Sequence, residues 1–256
     1  MIVIKTAQEM EAMRAAGGVA GSVLEEVAGW IKPGVTTREI DEYAAARIGF
    51  YGARSAFLGY RGFPCHTCIS VNEQVVHGLA GDRHVQFGDI VSLDVGVIFD
   101  GFIGDTARTV PVGACDLAVQ KLIEVTEQSL YDGISRALAG NRVADISRAV
   151  QERVEASGFS VVREFVGHGV GRTMHEEPQI PNFYENGRSP VLKPGMTLAI
   201  EPMVNAGGPA VKFLKDGWTV VTRDGKPSAH FEHTIGITEG EPEILTWPRK
   251  LSAPKR

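Results

Sequence analysis

The chain has 256 residues, of which 43% are hydrophobic, and its formal net charge is -5. This composition is that of a globular protein with one substantial core, and the acidic balance argues against a specific nucleic-acid surface. No signal-like start and no apolar run near the roughly twenty residues of a membrane-spanning helix is found, so we expect no membrane partner. An odd number of cysteines suits a reducing cytoplasm, where we expect the protein to act: Cys65, Cys68 and Cys115.

Four helices and two strand-rich stretches are predicted along the chain. Thr6 and Glu9 form a capping box that begins a helix running to about residue 28, and Thr36 and Glu39 begin a second helix running to about residue 50. The other predicted elements are strands at 65–72 and 89–112, helices at about 116–138 and 143–157, and strands from about 161 to 246. Helices followed by strands, twice over, predict an α+β fold with helices on a largely antiparallel sheet.

The second half of the sequence partly repeats the first. Four positions recur at one constant offset: Gly34, Ile40, Ile48 and Gly52 correspond to Gly140, Ile146, Val154 and Gly158. At an offset that is one residue larger, the strand-like segment that ends at Asp94 aligns with the segment that ends at Glu201. We therefore expect one domain, 1–256, built from two pseudo-symmetric halves of about 1–113 and 114–256, each bringing an acid to a shared centre.

Two aspartates flank a predicted hairpin. Residues 89–99 alternate like a strand, and Asp100-Gly101 is a strong signal for a two-residue turn. With that turn Asp105 faces Gly96, so Asp94 and Asp105 share one face as diagonal neighbours, roughly 7–8 Å apart at Cα. They could share a metal ion there, and Gly96 is expected to leave room for it. For the hairpin taken alone, two solvated carboxylates on an exposed face are the alternative.

Three further polar residues lie in β-like segments. His168 is placed between two glycines, Glu201 ends the apolar run 196–200, and Glu232 lies in the alternating segment 230–237. Carboxylates that point inward are costly unless a cation neutralises them. Together with Asp94 and Asp105, these residues offer many oxygen ligands and one nitrogen, which suits a pair of divalent ions better than a single structural zinc. The set predicts a two-metal hydrolase.

The segments around these residues resemble the type I methionine aminopeptidases, which are dinuclear metallohydrolases of the pita-bread group. The resemblance covers about residues 2–248 and is carried by Asp94, Gly104-Asp-Thr-Ala-Arg108, Gly167-His-Gly169, Ile200-Glu-Pro202 and Phe231-Glu-His-Thr234. It implies a pita-bread fold, in which two duplicated helix–helix–strand halves surround a curved antiparallel sheet.

The same resemblance implies two divalent ions per chain, drawn from Co, Mn, Fe, Zn and Ni. Asp105 and Glu232 would bridge the ions, Asp94 would bind one ion, and His168 and Glu201 would bind the other. The activity it implies is removal of the initiator methionine from nascent proteins whose second residue is small, through attack of a metal-activated water on the first peptide bond.

Roles for other residues also follow from the resemblance alone. His175 would donate a hydrogen bond to the substrate carbonyl, His77 would contact the scissile amide nitrogen, and Glu201 would carry a proton to the leaving amine. The methionine side chain would lie among five residues: Tyr60, Phe63, Cys68, Met174 and Trp218. Phe57 and Met174 depart from the commonest family pattern, which has a small thiol at the first position and an aromatic ring at the second.

Other interpretations remain open at this point. Aminopeptidase P and prolidase share the metal set, although they usually carry a large extra N-terminal domain, and non-catalytic relatives have lost ligands that this chain retains. Cys65-His-Thr-Cys68 matches a redox or zinc pattern without a second pair of ligands. The basic tail 248–256 is either a solvated end or a transient ribosome contact. We expect a monomer that binds the N-terminal peptides of nascent proteins.

Overall fold

The computed structural model describes residues 1–248. This part of the chain contains four α-helices: α1 (Ala7–Trp30), α2 (Thr37–Phe50), α3 (Leu117–Ser135) and α4 (Val143–Ala156). Its strands are β1 (Arg54–Ser55), β2 (Cys68–Val71), β3 (Gln74–Val76), β4 (Ile90–Phe99), β5 (Phe102–Pro111), β6 (Ser160–Val161), β7 (Gly167–Gly169), β8 (Glu176–Ile180), β9 (Thr197–Ile200), β10 (Met203–Asn205), β11 (Val211–Phe213), β12 (Val220–Thr222), β13 (Ser228–His230), β14 (Glu232–Gly236) and β15 (Glu243–Ile244). None of these helices is both long and apolar enough to cross a lipid bilayer.

The strands form one large antiparallel sheet and two small ones. The large sheet has nine strands in the order β1-β4-β5-β14-β9-β7-β8, with β2 also paired to β4 and β15 to β14. The small sheets have the orders β13-β10-β6 and β11-β12-β3. Every strand pair is antiparallel, so the predicted α+β class with an antiparallel sheet is confirmed.

Both predicted capping boxes are present. The Thr6 hydroxyl accepts a hydrogen bond from the Glu9 backbone N–H at 3.2 Å, and the Glu9 carboxylate accepts one from the Thr6 N–H at 3.1 Å. Thr36 and Glu39 make the same pair of bonds at 3.1 and 2.7 Å. Each box satisfies N–H groups that the first turn of a helix leaves without an intrahelical partner, so the sequence located these two helix starts correctly.

The end of α3 is less well predicted, because it lies three residues before the expected position at 138. After Ser135, the N–H groups of Arg136 and Ala137 donate to the carbonyls of Gly133 and Ile134. This tighter turn closes the helix early.

The turns that precede α2 and α4 have the same backbone geometry. Gly34 and Gly140 both have φ of 93°, in the left-handed region that favours glycine. The N–H of Gly34 donates to the carbonyl of Val85 at 2.8 Å, and the N–H of Gly140 donates to that of Leu192 at 3.0 Å. The recurring glycines Gly34 and Gly140 therefore occupy equivalent turns.

The predicted hairpin is confirmed with its register. Strands β4 and β5 pair from Ile90↔Pro111 to Phe99↔Phe102, and Gly96 faces Asp105 as expected. Asp100 and Gly101 have φ of 48° and 76°, the positive values that a tight hairpin turn of this kind requires. On the face opposite Asp94, the side chains Leu93, Val95 and Val97 are fully buried in a core that α1 and α2 cover.

The expectation that Gly96 leaves room for an ion was wrong. A Cβ atom at this position would lie 2.4 Å from Cε1 of Phe57, so the space above the glycine is filled by an aromatic ring. Phe57 in turn meets Phe63 edge to face, with 6.4 Å between ring centroids. The missing side chain thus serves the packing of an apolar wall beside Asp94 and Asp105.

Helix α1 lies directly against the back of the hairpin. A Cβ atom on Gly104 would be 2.3 Å from the carbonyl oxygen of Ala16, so only glycine permits this approach of helix and strand. Gly17 and Gly21 of α1 likewise touch the backbone carbonyls of Leu245 and Thr246. These close backbone contacts hold α1 against β5, which carries Asp105, and against the segment that follows β15.

We predict that Thr36→Ala lowers the free energy of unfolding by about 1 kcal/mol, because the Glu39 N–H loses its side-chain acceptor. Urea unfolding of the metal-free protein measures the change. Thr36→Ser keeps the hydroxyl and is the matched control, which should unfold near the wild-type midpoint. Equal destabilisation by serine and alanine would mean that the hydroxyl is not the stabilising group.

Candidate metal centre and active site

One cavity of about 280 Å³ brings the predicted site residues together. Its walls include the five predicted metal ligands, Asp94, Asp105, His168, Glu201 and Glu232. They also include the seven residues expected at the substrate: His77, His175, Tyr60, Phe63, Cys68, Met174 and Trp218. Residues that span most of the chain therefore meet in one place.

The sheet order explains how the five charged or ionisable residues meet. Strands β4, β5, β14, β9 and β7 are consecutive in the large sheet, and each contributes one residue from within the strand or directly after it. Glu232 begins β14 and faces Ala107 of β5, and Ala107 also faces Asp94. His168 is paired with Ala199, two residues before Glu201. Neighbouring strands thus place all five side chains in one row across the sheet.

The distances between the polar atoms suit a shared cation. One ligand atom from each of Asp105, His168 and Glu232 lies within 4.8 Å of the other two. His168 Nε2 is 3.5 Å from Glu201 Oε1 and 3.8 Å from Asp105 Oδ2. His168 Nδ1 lies 2.8 Å from the carbonyl oxygen of Gly169, and this contact orients the ring so that Nε2 faces the carboxylates.

Several buried atoms at the centre have no hydrogen-bond partner among residues 1–248. They are Asp94 Oδ1, Asp105 Oδ1, Glu232 Oε1 and His230 Nε2. Carboxylate oxygens that are buried without a donor cost free energy, and a divalent cation would satisfy them. Four carboxylates with one or more imidazoles are also a suitable donor set for Mn, Fe, Co or Zn. The residues present therefore fit a divalent metal centre.

The protonation states reflect the enclosure of the site. Burial, followed by repulsion from neighbouring carboxylates, raises the pKa of Asp94, Glu201 and Glu232 well above the usual range. Burial lowers the pKa of His168 to about 4, so its imidazole is neutral at pH 7, as coordination requires. A bound cation would favour the ionised carboxylates and reverse their shift.

The two histidines expected at the substrate, His77 and His175, both line the cavity. The ring of His175 is 4.4 Å from that of His168, and its Nδ1 forms a 2.8 Å hydrogen bond with the Tyr60 hydroxyl. His77 has φ of 58°, an uncommon conformation for a residue other than glycine, and its ring packs edge to face on Phe165. Strain of this kind persists only where the surroundings hold the residue in place.

A buried ion pair holds the loop that carries Met174 and His175. Glu176 accepts a hydrogen bond from the Lys5 ammonium at 2.5 Å, and the same carboxylate accepts one from the backbone N–H of Arg172 at 3.1 Å. The Lys5 and Glu176 side chains are only 3% and 10% exposed. The N-terminal segment is therefore tied to the loop that positions His175.

Aromatic and sulfur-containing side chains form the apolar part of the cavity. Phe63 meets Trp218 edge to face at 5.1 Å between centroids, and Met174 and Cys68 are buried beside them. Cys68 is paired with Asp94 across β2 and β4. Both Cys65 and Cys68 are free thiols, and Cys68 belongs to the cavity wall.

His230 is the main site residue that the sequence prediction missed. Its side chain is 2% exposed, lines the cavity and has Nε2 3.6 Å from Glu201 Oε2. Burial lowers the pKa of His230 to about 3, so the ring is neutral. Alternation could have revealed it, because residues two apart in an extended segment share a face and His230 precedes Glu232 by two. Arg61 and Phe165 also line the cavity and were not predicted.

Comparison with known proteins agrees with this geometry. The sequence model of metallopeptidase family M24 matches residues 11–239. The chain is 52% identical over 246 residues to methionine aminopeptidase of Clostridium perfringens, covering 96% of this chain and 99% of that protein. It is equally identical, with the same coverage, to methionine aminopeptidase 1 of Bacillus subtilis.

Solved structures extend the comparison to the fold. Methionine aminopeptidase from Rickettsia prowazekii has a TM-score of 0.94 at 42% identity, covering 96% of this chain and 100% of that one. Prolidase from Pyrococcus furiosus has a TM-score of 0.78 at 23% identity, and the match spans 97% of this chain but 66% of the prolidase. The second likeness concerns the fold alone, and together the two confirm the predicted pita-bread architecture. The chain belongs to metallopeptidase family M24 and, within it, to the type I methionine aminopeptidases.

Proposed function

We propose that this protein removes the N-terminal methionine from nascent proteins whose second residue is small, by metal-dependent hydrolysis of the first peptide bond. Membership of a metallopeptidase family implies use of a divalent metal and action on peptides. The observation that carries the proposal is the row of carboxylates and one imidazole, with buried oxygens that lack partners among residues 1–248, beside a pocket of aromatic and sulfur-containing side chains.

The centre is proposed to hold two divalent ions, chosen in the cell from Co, Mn, Fe, Zn and Ni. Asp105 and Glu232 would bridge them, Asp94 would complete one site, and His168 with Glu201 would complete the other. The closeness of His168 Nε2 to both Glu201 and Asp105 supports this division. When bound, such ions would lower the pKa of a coordinated water and so supply a nucleophile at neutral pH.

The surrounding side chains are proposed to bind the peptide and to move the proton. His175 would donate to the carbonyl oxygen of the methionine as negative charge develops there, and its hydrogen bond to Tyr60 supports a fixed ring orientation. His77 would contact the amide nitrogen of the scissile bond. Glu201 would accept a proton from the attacking water and pass it to the leaving amine, since a carboxylate at the reaction centre can act first as a base and then as an acid.

The pocket is proposed to select an unbranched thioether. Tyr60, Phe63, Cys68, Met174 and Trp218 would surround the methionine side chain, and sulfur packs favourably against aromatic rings. The Phe57 ring, which lies over Gly96, would reduce the width of the same pocket. On the other side of the bond, limited space would disfavour a bulky second residue by roughly 1–3 kcal/mol for each added methylene.

The wider organisation is also part of the proposal. One catalytic domain would consist of two pseudo-symmetric halves, about 1–113 and 114–256, which the equivalent turns at Gly34 and Gly140 support. The protein would act in the cytoplasm as a monomer. A ribosome contact by the basic tail 248–256 depends almost wholly on residues 249–256, which lie outside the described part of the chain.

The substrate proposal predicts a clear order among short peptides. Met-Ala-Ser should be cleaved with a far higher kcat/KM than Met-Ile-Ser, because the bulky second side chain lacks space. Formyl-Met-Ala-Ser should be refused, since its α-amine is blocked. Release of the first residue, as methionine or as formyl-methionine, is measured at equal metal loading for all three peptides.

An X-Pro peptide without methionine completes this panel. Preference for that peptide would transfer the assignment to an aminopeptidase P or prolidase activity. Similar kcat/KM for the three methionine peptides would contradict the selectivity that we propose.

His175→Ala should lower kcat by about 10²–10³-fold, because it removes a donor that stabilises charge in the transition state. Metal content, measured by elemental analysis, should stay at the wild-type value, since His175 is not assigned to the ions. His84 is an exposed histidine outside the cavity, so His84→Ala is the matched control and should keep wild-type turnover. Loss of metal with normal turnover per ion would reverse the assignment of His175.

The carboxylate cluster predicts how the stability of the metal-free protein depends on pH. The folded-state pKa values are raised, so the folded protein binds more protons than the unfolded one and its stability falls as the pH rises through them. The buried histidines, with lowered pKa, act in the opposite sense only below about pH 6.5, because above it they are neutral in both states. The carboxyl groups therefore determine how the stability of the folded protein changes with pH above about pH 6.5.

We predict that the melting temperature of metal-free protein falls between about pH 6.5 and pH 8.5, and that Glu232→Gln reduces the fall. Each kcal/mol recovered by the amide corresponds to roughly 2–4 °C in a protein of this size. Added divalent metal should raise the melting temperature of the wild type far more than that of Glu232→Gln. The exposed Glu152 offers the control Glu152→Gln, and an identical pH profile for both variants would contradict the prediction.

A further inference from the structure

His230 is a buried polar side chain that the proposed reaction does not yet use. It is one of four residues in the described chain with a buried side-chain atom that lacks a hydrogen-bond partner, and the other three are proposed metal ligands. A buried polar atom without a partner is costly, so its Nε2 needs a contact that forms in the working enzyme. This Nε2 lies 3.6 Å from Oε2 of Glu201.

Glu201 lies between two imidazole rings. Its Oε1 is 3.5 Å from Nε2 of His168, and its Oε2 is 3.6 Å from Nε2 of His230. The first contact belongs to the proposed metal centre, because His168 and Glu201 are assigned to the same ion. The second oxygen, Oε2, faces His230. The imidazole of His230 can therefore influence the orientation of the Glu201 carboxylate.

The backbones on both sides are held firmly. The N–H of His230 donates to the Thr109 hydroxyl at 2.8 Å, and the same hydroxyl donates to the carbonyl of His230 at 2.9 Å. The carbonyl of Glu201 accepts a hydrogen bond from the Asn182 side chain at 2.9 Å. With both backbones fixed, the remaining freedom lies in the side-chain torsions of Glu201.

We propose that His230 is a positioning residue for Glu201, whose Oε2 accepts a hydrogen bond from the Nε2–H of the imidazole. This bond turns Oε1 toward the metal centre and holds the carboxyl group where it can pass a proton to the leaving amine. A small side-chain rotation shortens 3.6 Å to the usual 2.7–3.2 Å, and catalytic hydrogen bonds are often long before ligands bind. The inference rests on the proposed function.

The competing assignment for the same atom is direct coordination. If Nε2 is unprotonated, His230 could be a second nitrogen ligand. If Nε2 carries the proton, it cannot bind a metal. The two assignments differ in what a substitution removes. Loss of a ligand lowers the metal content, while loss of a positioning contact lowers turnover at unchanged metal content.

The test compares His230→Leu with His230→Gln in metal-loaded protein. Leucine removes the donor, so kcat on Met-Ala-Ser should fall about 10- to 100-fold, with KM and the number of bound ions near wild type. Glutamine places an amide N–H near the position of Nε2 and should restore most of the lost turnover. If His230→Leu does not fold, His230→Asn takes its place, because its shorter amide cannot reach Oε2.

His233→Gln is the matched control. His233 lies on the next strand, forms a 2.8 Å hydrogen bond with Thr246 and packs against Trp247, away from the metal centre, so this variant should keep wild-type kcat. Wild-type kcat in His230→Leu, metal loss in proportion to activity, or a glutamine variant as slow as the leucine one would each overturn the inference. If the wild-type protein cleaves another peptide instead, the proposed function fails, and the variants are compared on that peptide.

Discussion

The enclosure of four carboxyl groups on one face of the large sheet is the constraint on which the rest of the structure depends. Ionising them together without a cation is unfavourable, because burial removes water and each charge repels the next. The strands are nevertheless held in place behind them by hydrogen bonds between neighbours. Thr106 donates to the carbonyl of Glu232 at 2.8 Å, and Thr234 donates to that of Asp105 at 2.7 Å. Ionisation of these carboxyl groups together is thus unfavourable, yet the strands that carry them are fixed by hydrogen bonds.

Such organisation requires support from outside the sheet. Helix α1 touches β5 through Gly104, and no larger residue would allow that approach. The Lys5–Glu176 pair ties the N-terminal segment to the loop of His175, whose ring lies against His168. A buried pair of this kind adds little net stability on average, but removing one partner leaves an uncompensated charge. Here it fixes a loop whose residues Met174 and His175 line the cavity.

The histidines of the site are specialised by their partners. His168 is oriented by the carbonyl of Gly169 and His175 by the hydroxyl of Tyr60, whereas Nε2 of His230 lies 3.6 Å from Oε2 of Glu201. Burial keeps His77, His168 and His230 neutral at pH 7. A neutral imidazole has one nitrogen that carries a proton and can donate a hydrogen bond, and one without a proton that can coordinate an ion. The hydrogen bond made by one ring nitrogen determines which of these two forms the other nitrogen takes. The role of each histidine therefore depends on its local contacts more than on its residue type.

The sequence by itself determined the features that depend on neighbours along the chain. The capping boxes at Thr6 and Thr36 and the hairpin register that sets Asp105 opposite Gly96 follow from local hydrogen bonds and alternation. The candidate metal ligands were predicted from short sequence motifs. Only the tertiary structure decided that Phe57 fills the space over Gly96 and that His230 reaches Glu201. These contacts join segments distant in sequence, and their geometry depends on how helices and strands pack, which no local pattern encodes.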